Sequence, residues 1–142
     1  MSVTVITKKP RLPISSALVR KVVTRTLQEV GLLTSDVSVQ LCNDAEVKKL
    51  NTRYRGKEST TDVLSFPTDP AMGGDKNDLG DLVLSVPQII RQANLHHIQP
   101  KEECIRMLIH GTLHLSGYNH ESDEEKKNMF IVQEKLVLAI CA

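Results

Sequence analysis

Three histidines carry the chemistry most legible in this chain: His110, His114 and His120, set in the run His110-Gly111-Thr112-Leu113-His114-Leu115-Ser116-Gly117-Tyr118-Asn119-His120. Four residues apart on a helix, His110 and His114 share one face with their imidazoles a turn apart, close enough to hold one ion. Gly117 can take the left-handed backbone conformation that ends a helix, so the chain can fold back and bring His120 in as a third ligand. Three neutral imidazoles on a four-coordinate ion leave one position open, as in a catalytic zinc site. A lone histidine on an apolar face is usually a core residue, but three in this spacing, with glycine in the turn, are harder to dismiss. The reading is one bound transition-metal ion, zinc in the first instance with nickel also acceptable to imidazole, used for hydrolysis.

The frame H-x3-H-x5-H is shared with the metzincin zinc proteases, whose motif places a glutamate base directly after the first histidine. Here that position is Gly111, which cannot take up a proton, so a protease of that mechanism is disfavoured. The helix carrying the histidines has Ile105, Met107, Leu108, Ile109, Leu113 and Leu115 around most of its circumference. Glu103, Arg106, His110 and His114 form a single polar stripe, which is expected to line a cleft.

The secondary structure around the histidines follows from hydrophobic periodicity. Val3 to Ile6 reads as a strand. From Ser15, apolar residues recur at helical spacing through Val30, and Gly31 stops the helix. Val37, Val39 and Leu41 alternate as in a strand, and Asn43 with Glu46 opens a short helix carrying Val47 and Leu50. Val63 to Phe66 and Leu82 to Leu84 read as strands. Pro67 through Gly80 reads as an exposed loop between them, equally a plain solvated loop or a flap over a site. Ser85 and Pro87 start a helix that ends at the solvated pair His96-His97, Pro100 starts the histidine helix, and Ser122 with Glu125 caps the last one. The expectation is a single α/β (α+β) domain over 1–142. It has a mixed sheet of about four strands packed with about five helices, and the three-histidine site lies at a helix end.

Composition limits the partners. With 142 residues the chain can bury a real core, and with Trp absent and aromatics at 3% base-stacking platforms are not expected, so nucleic-acid binding would rest on charge and shape. Up to Thr60 there are eleven Lys/Arg against five Asp/Glu, and beyond it seven against twelve, so a front half of +6 precedes a back half of −5. Such a split can mark a basic face, although a solvated surface is the more ordinary explanation. Cys42, Cys104 and Cys141 are odd in number and form no C-x-x-C pair, which suits a reducing compartment. No run is apolar enough to span a bilayer and no signal peptide precedes the first strand, so a cytoplasmic protein with no membrane partner is expected.

Three blocks together resemble the YbeY-type endoribonucleases, which act in bacterial ribosomal RNA maturation. The first runs from Asn51-Thr52-Arg53-Tyr54-Arg55-Gly56-Lys57 to Thr61-Asp62-Val63-Leu64-Ser65-Phe66-Pro67, the second is Leu79-Gly80-Asp81-Leu82-Val83-Leu84-Ser85, and the third is the histidine block. The resemblance implies a small α/β fold in which His110, His114 and His120 bind the metal, His110 and Arg55 are catalytic, and Asp81 is the acid of the family's Gly-Asp pair. It also implies single-stranded RNA as substrate, in late processing of the small-subunit rRNA 3′ end and in ribosome quality control. Precursor rRNA and small-subunit ribosomal proteins would be the partners, and no DNA is expected.

The residues themselves fit such a role. The Arg55 guanidinium is a planar fork that matches a phosphate bidentately and could hold the scissile group or stabilise charge in the transition state. The metal would activate water or polarise a phosphoryl oxygen. Asp81 could orient a ligand histidine or contact a partner, although Gly-Asp before a strand is as often a turn. Two other classes remain open at this point, a metalloprotease-like hydrolase and a non-catalytic ribosome assembly factor with a structural metal.

Overall fold

Alternation of Val37, Val39 and Leu41 with polar neighbours makes β2 (Asp36–Cys42) a strand with one buried face, and the computed structural model of the chain places it inside the sheet. The structure describes residues 3–7, 14–55, 63–68, 78–118 and 122–141. β2 pairs in parallel with β1 (Val3–Thr7) and with β4 (Asp78–Ser85), and β4 pairs antiparallel with β3 (Val63–Pro67). The order β1-β2-β4-β3 leaves β3 at one edge.

The two sheet faces have different cores. Val37, Val39, Leu41, Leu82 and Leu84 point into the larger one, with α1 (Ser16–Glu29), α3 (Val86–Leu95) and α4 (Pro100–Leu115). The last helix, α5 (Asp123–Cys141), packs on α4 through Met129, Leu136 and Val137. On the opposite face, Cys42, Leu64 and Val83 are covered by Val47 of α2 (Asp44–Arg55). This is the expected α/β domain with four strands and five helices among the described residues.

The caps fall where the sequence signals them. Ser15 accepts the amide of Leu18, Asn43 that of Glu46, Ser85 that of Gln88 and Ser122 that of Glu125. Each satisfies an amide that the first turn leaves without a helical partner. Cys42 and Cys104 are buried, and His96 and His97 end α3 in solvent, as their sequence contexts indicate.

One expectation needs correction, and two alternatives open in the sequence are decided. β3 extends to Pro67 and β4 begins at Asp78, with the ladder continued by Thr68 N–H to the Leu79 carbonyl at 3.1 Å, so both ends of the supposed loop are strand. Its middle, residues 69–77, lies outside the described residues. Gly80-Asp81 is consequently not a turn. Gly80 sits within β4 at φ 131°, opposite an irregularity between Asp36 and Val37, and a Cβ there would collide with the Phe66 carbonyl oxygen. It is a glycine required by close strand approach rather than by chain reversal. Finally, the basic front half is not one face: Arg20, Lys21 and Arg25 belong to α1, while Lys48 and Lys49 belong to α2 across the sheet, and Arg25 is paired with Glu29 at 3.1 Å.

Candidate active site at the end of the histidine helix

α4 owes its position to its apolar faces. Ile105, Leu108, Ile109 and Leu113 are at most 2% exposed, and burying each such side chain is worth about 1.5–3 kcal/mol. Gly111 lets the helix lie close on the sheet. A Cβ at this position would stand 2.8 Å from Leu82 Cδ2 and 3.2 Å from Val63 Cγ2. The residue after the first histidine therefore faces the sheet, and any side chain there would press on Leu82 and Val63.

His110 and His114 remain half-buried on the face this packing leaves over, with ring centroids 4.8 Å apart and planes at 73°. Edge-to-face imidazoles one turn apart suit two ligands of one ion. His110 Nδ1 lies 2.8 Å from Oε1 of Gln133, a 7% exposed residue of α5. A partner on the far ring nitrogen is the usual companion of a ligating histidine. The donor set thus fits a transition metal, with zinc and nickel both suited to imidazole.

Gly117 performs the turn expected of it. At φ 104° it donates its amide to the His114 carbonyl at 3.1 Å, and the Tyr118 amide reaches the Leu113 carbonyl at 3.0 Å. This pair of bonds is the Schellman closure of a helix, which redirects the chain immediately after His114. Ser116 belongs to the same closure, its hydroxyl donating to the Thr112 carbonyl at 2.8 Å. Asn119 and the third candidate ligand, His120, lie outside the described residues.

The polar stripe is less open than its sequence implies. Arg106 Nε and Nη2 form a two-pronged pair with Glu134 of α5 at 3.0 and 3.1 Å, and Nη1 reaches Glu103 at 3.2 Å and Glu102 at 3.3 Å. α5 thus covers the lower stripe, and only its histidine end is left for chemistry. Glu103 is 3% exposed and also accepts from Gln92 at 3.1 Å, so its role is structural.

The other two candidates are placed differently. Arg55 is the last residue of α2, and its side chain lies outside the described part of the structure. Residues 56–62, also outside it, lead from Arg55 into β3, the edge strand on which α4 packs. Asp81 alternates with Leu82, which touches α4, so it lies on the opposite sheet face in register with Ser38 and Phe66. From that face it does not orient His110 or His114. It is exposed, yet partial desolvation and the charge of Asp78 push its carboxyl up, against a lowering by the Ser38 hydroxyl.

Gln133 is the site residue that periodicity passed over. Met129, Val132, Leu136 and Ile140 define the inward side of α5, and Gln133 lies among them, four residues after Met129 and three before Leu136. A polar residue on a buried stripe needs a partner, and that was the available signal.

Fold and site together define a small α/β protein with a half-buried histidine pair at a helix end, a donor set that fits a metal. The whole pattern is a family's: the chain matches the model for "Endoribonuclease YbeY" over residues 6–140. A relative of that name from Sulfurihydrogenibium sp. is 37% identical over 87% of this chain and 82% of its own length, and one from Aquifex aeolicus is 41% identical over 80% and 75%. The solution structure of TM1509 from Thermotoga maritima superposes with a TM-score of 0.67 at 26% identity, covering 98% of this chain and 89% of that one. The chain belongs to the YbeY endoribonuclease family.

Proposed function

We propose that the chain is a metal-dependent endoribonuclease that cleaves single-stranded RNA in ribosomal RNA maturation, with His110, His114 and His120 holding one zinc or nickel ion. The observation that carries this reading is the half-buried pair His110 and His114, directly followed by the Gly117 turn, in a chain of the YbeY family. A metal bound there would supply a Lewis acid for a phosphoryl oxygen and lower the pKa of water. The remaining work falls to the protein. α4 holds two imidazoles on a rigid element, so the ligand geometry costs little reorganisation. Arg55, next to the chain that enters β3, grips the scissile phosphate as a fork and stabilises the charge that builds on its oxygens. Gly111 itself supplies no protease-type base.

Asp81, exposed and across the sheet from the histidines, serves contact with a partner, and a small-subunit ribosomal protein fits the substrate proposed. Late processing of the small-subunit rRNA 3′ end, a role in ribosome quality control and a cytoplasmic location belong to the same reading. Among the described residues no helix is long and apolar enough to cross a membrane.

The decisive experiment compares cleavage of a single-stranded RNA by protein of known metal content with that by Arg55→Ala. The variant should melt like the parent and keep its metal, yet cleave on the order of a hundredfold more slowly. Arg55→Lys should recover only part of the rate, because an ammonium cannot form the fork. Full activity of Arg55→Ala would remove the arginine from the mechanism. Absence of cleavage by metal-loaded parent, with binding to ribosomal particles intact, would favour an assembly factor with a structural metal.

A further inference from the structure

A directional hydrogen-bond chain runs from the middle of α4 across α5 and back to His110. Arg106 holds both oxygens of Glu134, Glu134 Oε2 accepts from Gln133 Nε2 at 3.0 Å, and Gln133 Oε1 lies 2.8 Å from His110 Nδ1. Each link fixes the sense of the next. A carboxylate paired with a guanidinium can only accept, so the amide of Gln133 must turn its NH2 towards Glu134. Its carbonyl then faces His110, and a carbonyl also can only accept. The proton must therefore sit on His110 Nδ1, and in the neutral ring the lone pair is left on Nε2.

We infer that Gln133 is a positioning residue that locks His110 in the Nδ1–H tautomer and so presents the Nε2 lone pair for metal binding, with Arg106 and Glu134 as the anchor that sets the amide's direction. The metal half of this inference rests on the function proposed above; the tautomer half stands on the hydrogen bonds alone. The chain also has the rigidity the role needs. Gln133 is almost wholly buried, and Arg106 is tied to three carboxylates, of Glu102, Glu103 and Glu134. In a free imidazole either nitrogen can carry the proton, so an unanchored His110 would spend part of its time with Nε2 blocked.

The test uses nitrogen-15-labelled protein freed of metal, in which long-range proton–nitrogen spectra distinguish the two tautomers of His110. The parent should show Nδ1 protonated. Gln133→Met, which keeps length but cannot donate and accepts only weakly, should shift the ring towards the Nε2–H form. It should also weaken zinc binding, titrated by competition with a chelating dye, on the order of 10- to 100-fold. Gln133→Glu keeps an acceptor facing His110 and should keep the parental tautomer, with zinc affinity closer to the parent's than to that of Gln133→Met. A general packing role would not separate these two variants in this way. Should Gln133→Met fail to fold, Glu134→Gln takes its place: a carboxamide at 134 can donate as well as accept, so the direction is lost and both tautomers should appear. An unchanged Nδ1–H tautomer in the folded variant used would overturn the inference, as would undiminished zinc affinity in a Gln133→Met protein that folds. If the parent itself binds no zinc, the metal reading fails, and the tautomer comparison still decides the part played by Gln133.

Discussion

Replacing Gly111 by Ala tests how closely α4 must approach the sheet. Taken alone, the change gains about 1 kcal/mol from helix propensity. The new Cβ would stand 2.8 Å from Leu82 Cδ2, 3.2 Å from Val63 Cγ2 and 3.4 Å from Leu82 Cδ1, where carbon atoms settle at about 3.5–4.0 Å. Leu82 is fully buried, and Val63 is β-branched and stiff, so relief requires the helix to lift or both side chains to shift. Overpacking of this kind costs about 1–3 kcal/mol. The net expectation is a loss of roughly 0–2 kcal/mol, and each kcal/mol lowers Tm by about 3–4 °C in a chain of this size. Thermal melts of the metal-free protein measure it without interference from binding. Gly111→Glu, which restores the protease residue, adds a buried carboxylate at a cost of several kcal/mol, enough to consume much of the stability of an ordinary domain. It should lose its fold and gain no peptidase activity. A Gly111→Ala protein that melts clearly above the parent would show that Leu82 and Val63 yield freely, and the close-approach argument would fail.

Three further outcomes follow from the structure. The folded Asp81 carboxyl lies above its ordinary range, chiefly through desolvation and then through Asp78, so ionising it costs folding stability as pH rises through the unfolded and then the folded value. Asp81→Asn should stabilise at neutral pH and lose that advantage in acid, which urea melts at two pH values will show; an equal effect at both would refute the electrostatic cause. Burial, with Glu103 adding, pushes the Cys104 thiol up to about 12, and Cys42 is buried too, whereas Cys141 is exposed. Alkylation of the native protein at mildly basic pH should therefore modify Cys141 alone by mass spectrometry, and rapid native labelling of Cys104 would contradict its placement. RNA affinity should fall steeply with salt. Lys48 and Lys49 share α2 with Arg55, so replacing them should lower the salt slope by about 1 per lost phosphate contact. A flat salt response would make the charge asymmetry incidental.

How much of this was legible in the sequence depended on whether the signal was local. Caps and stops are set within four residues, and Ser15, Asn43, Ser85, Ser122, Gly31 and Gly117 could each be recognised from their neighbours. Strand alternation in Val37, Val39 and Leu41 was equally plain. The start of β4 was not, because Asp78, Leu79 and Gly80 have the composition of a turn and become strand only through pairing with β2 and β3. The same long-range register decides that Asp81 and the histidines lie on opposite faces. Charge counting along the chain could not reveal that the sheet separates α1 from α2.

The site shows the same division most sharply in α4, where four consecutive residues have four different duties. Ile109 is core, His110 faces α5 and the site, Gly111 touches the sheet and Thr112 returns its hydroxyl to the Leu108 carbonyl at 2.7 Å. The spacing of His110 and His114 depends only on helical geometry, so the candidate ligands could be found without any knowledge of the fold. The partner of His110 Nδ1 is instead Gln133, 23 residues away on another helix, with a carboxylate and a guanidinium beyond it. Sequence spacing can therefore name a candidate ligand, but the partners of its ring nitrogens are set by tertiary contacts. In this protein the side of α4 that anchors the fold, through Arg106 and Glu134, is continuous with the side that prepares the histidine, so stability and site geometry share the same hydrogen bonds.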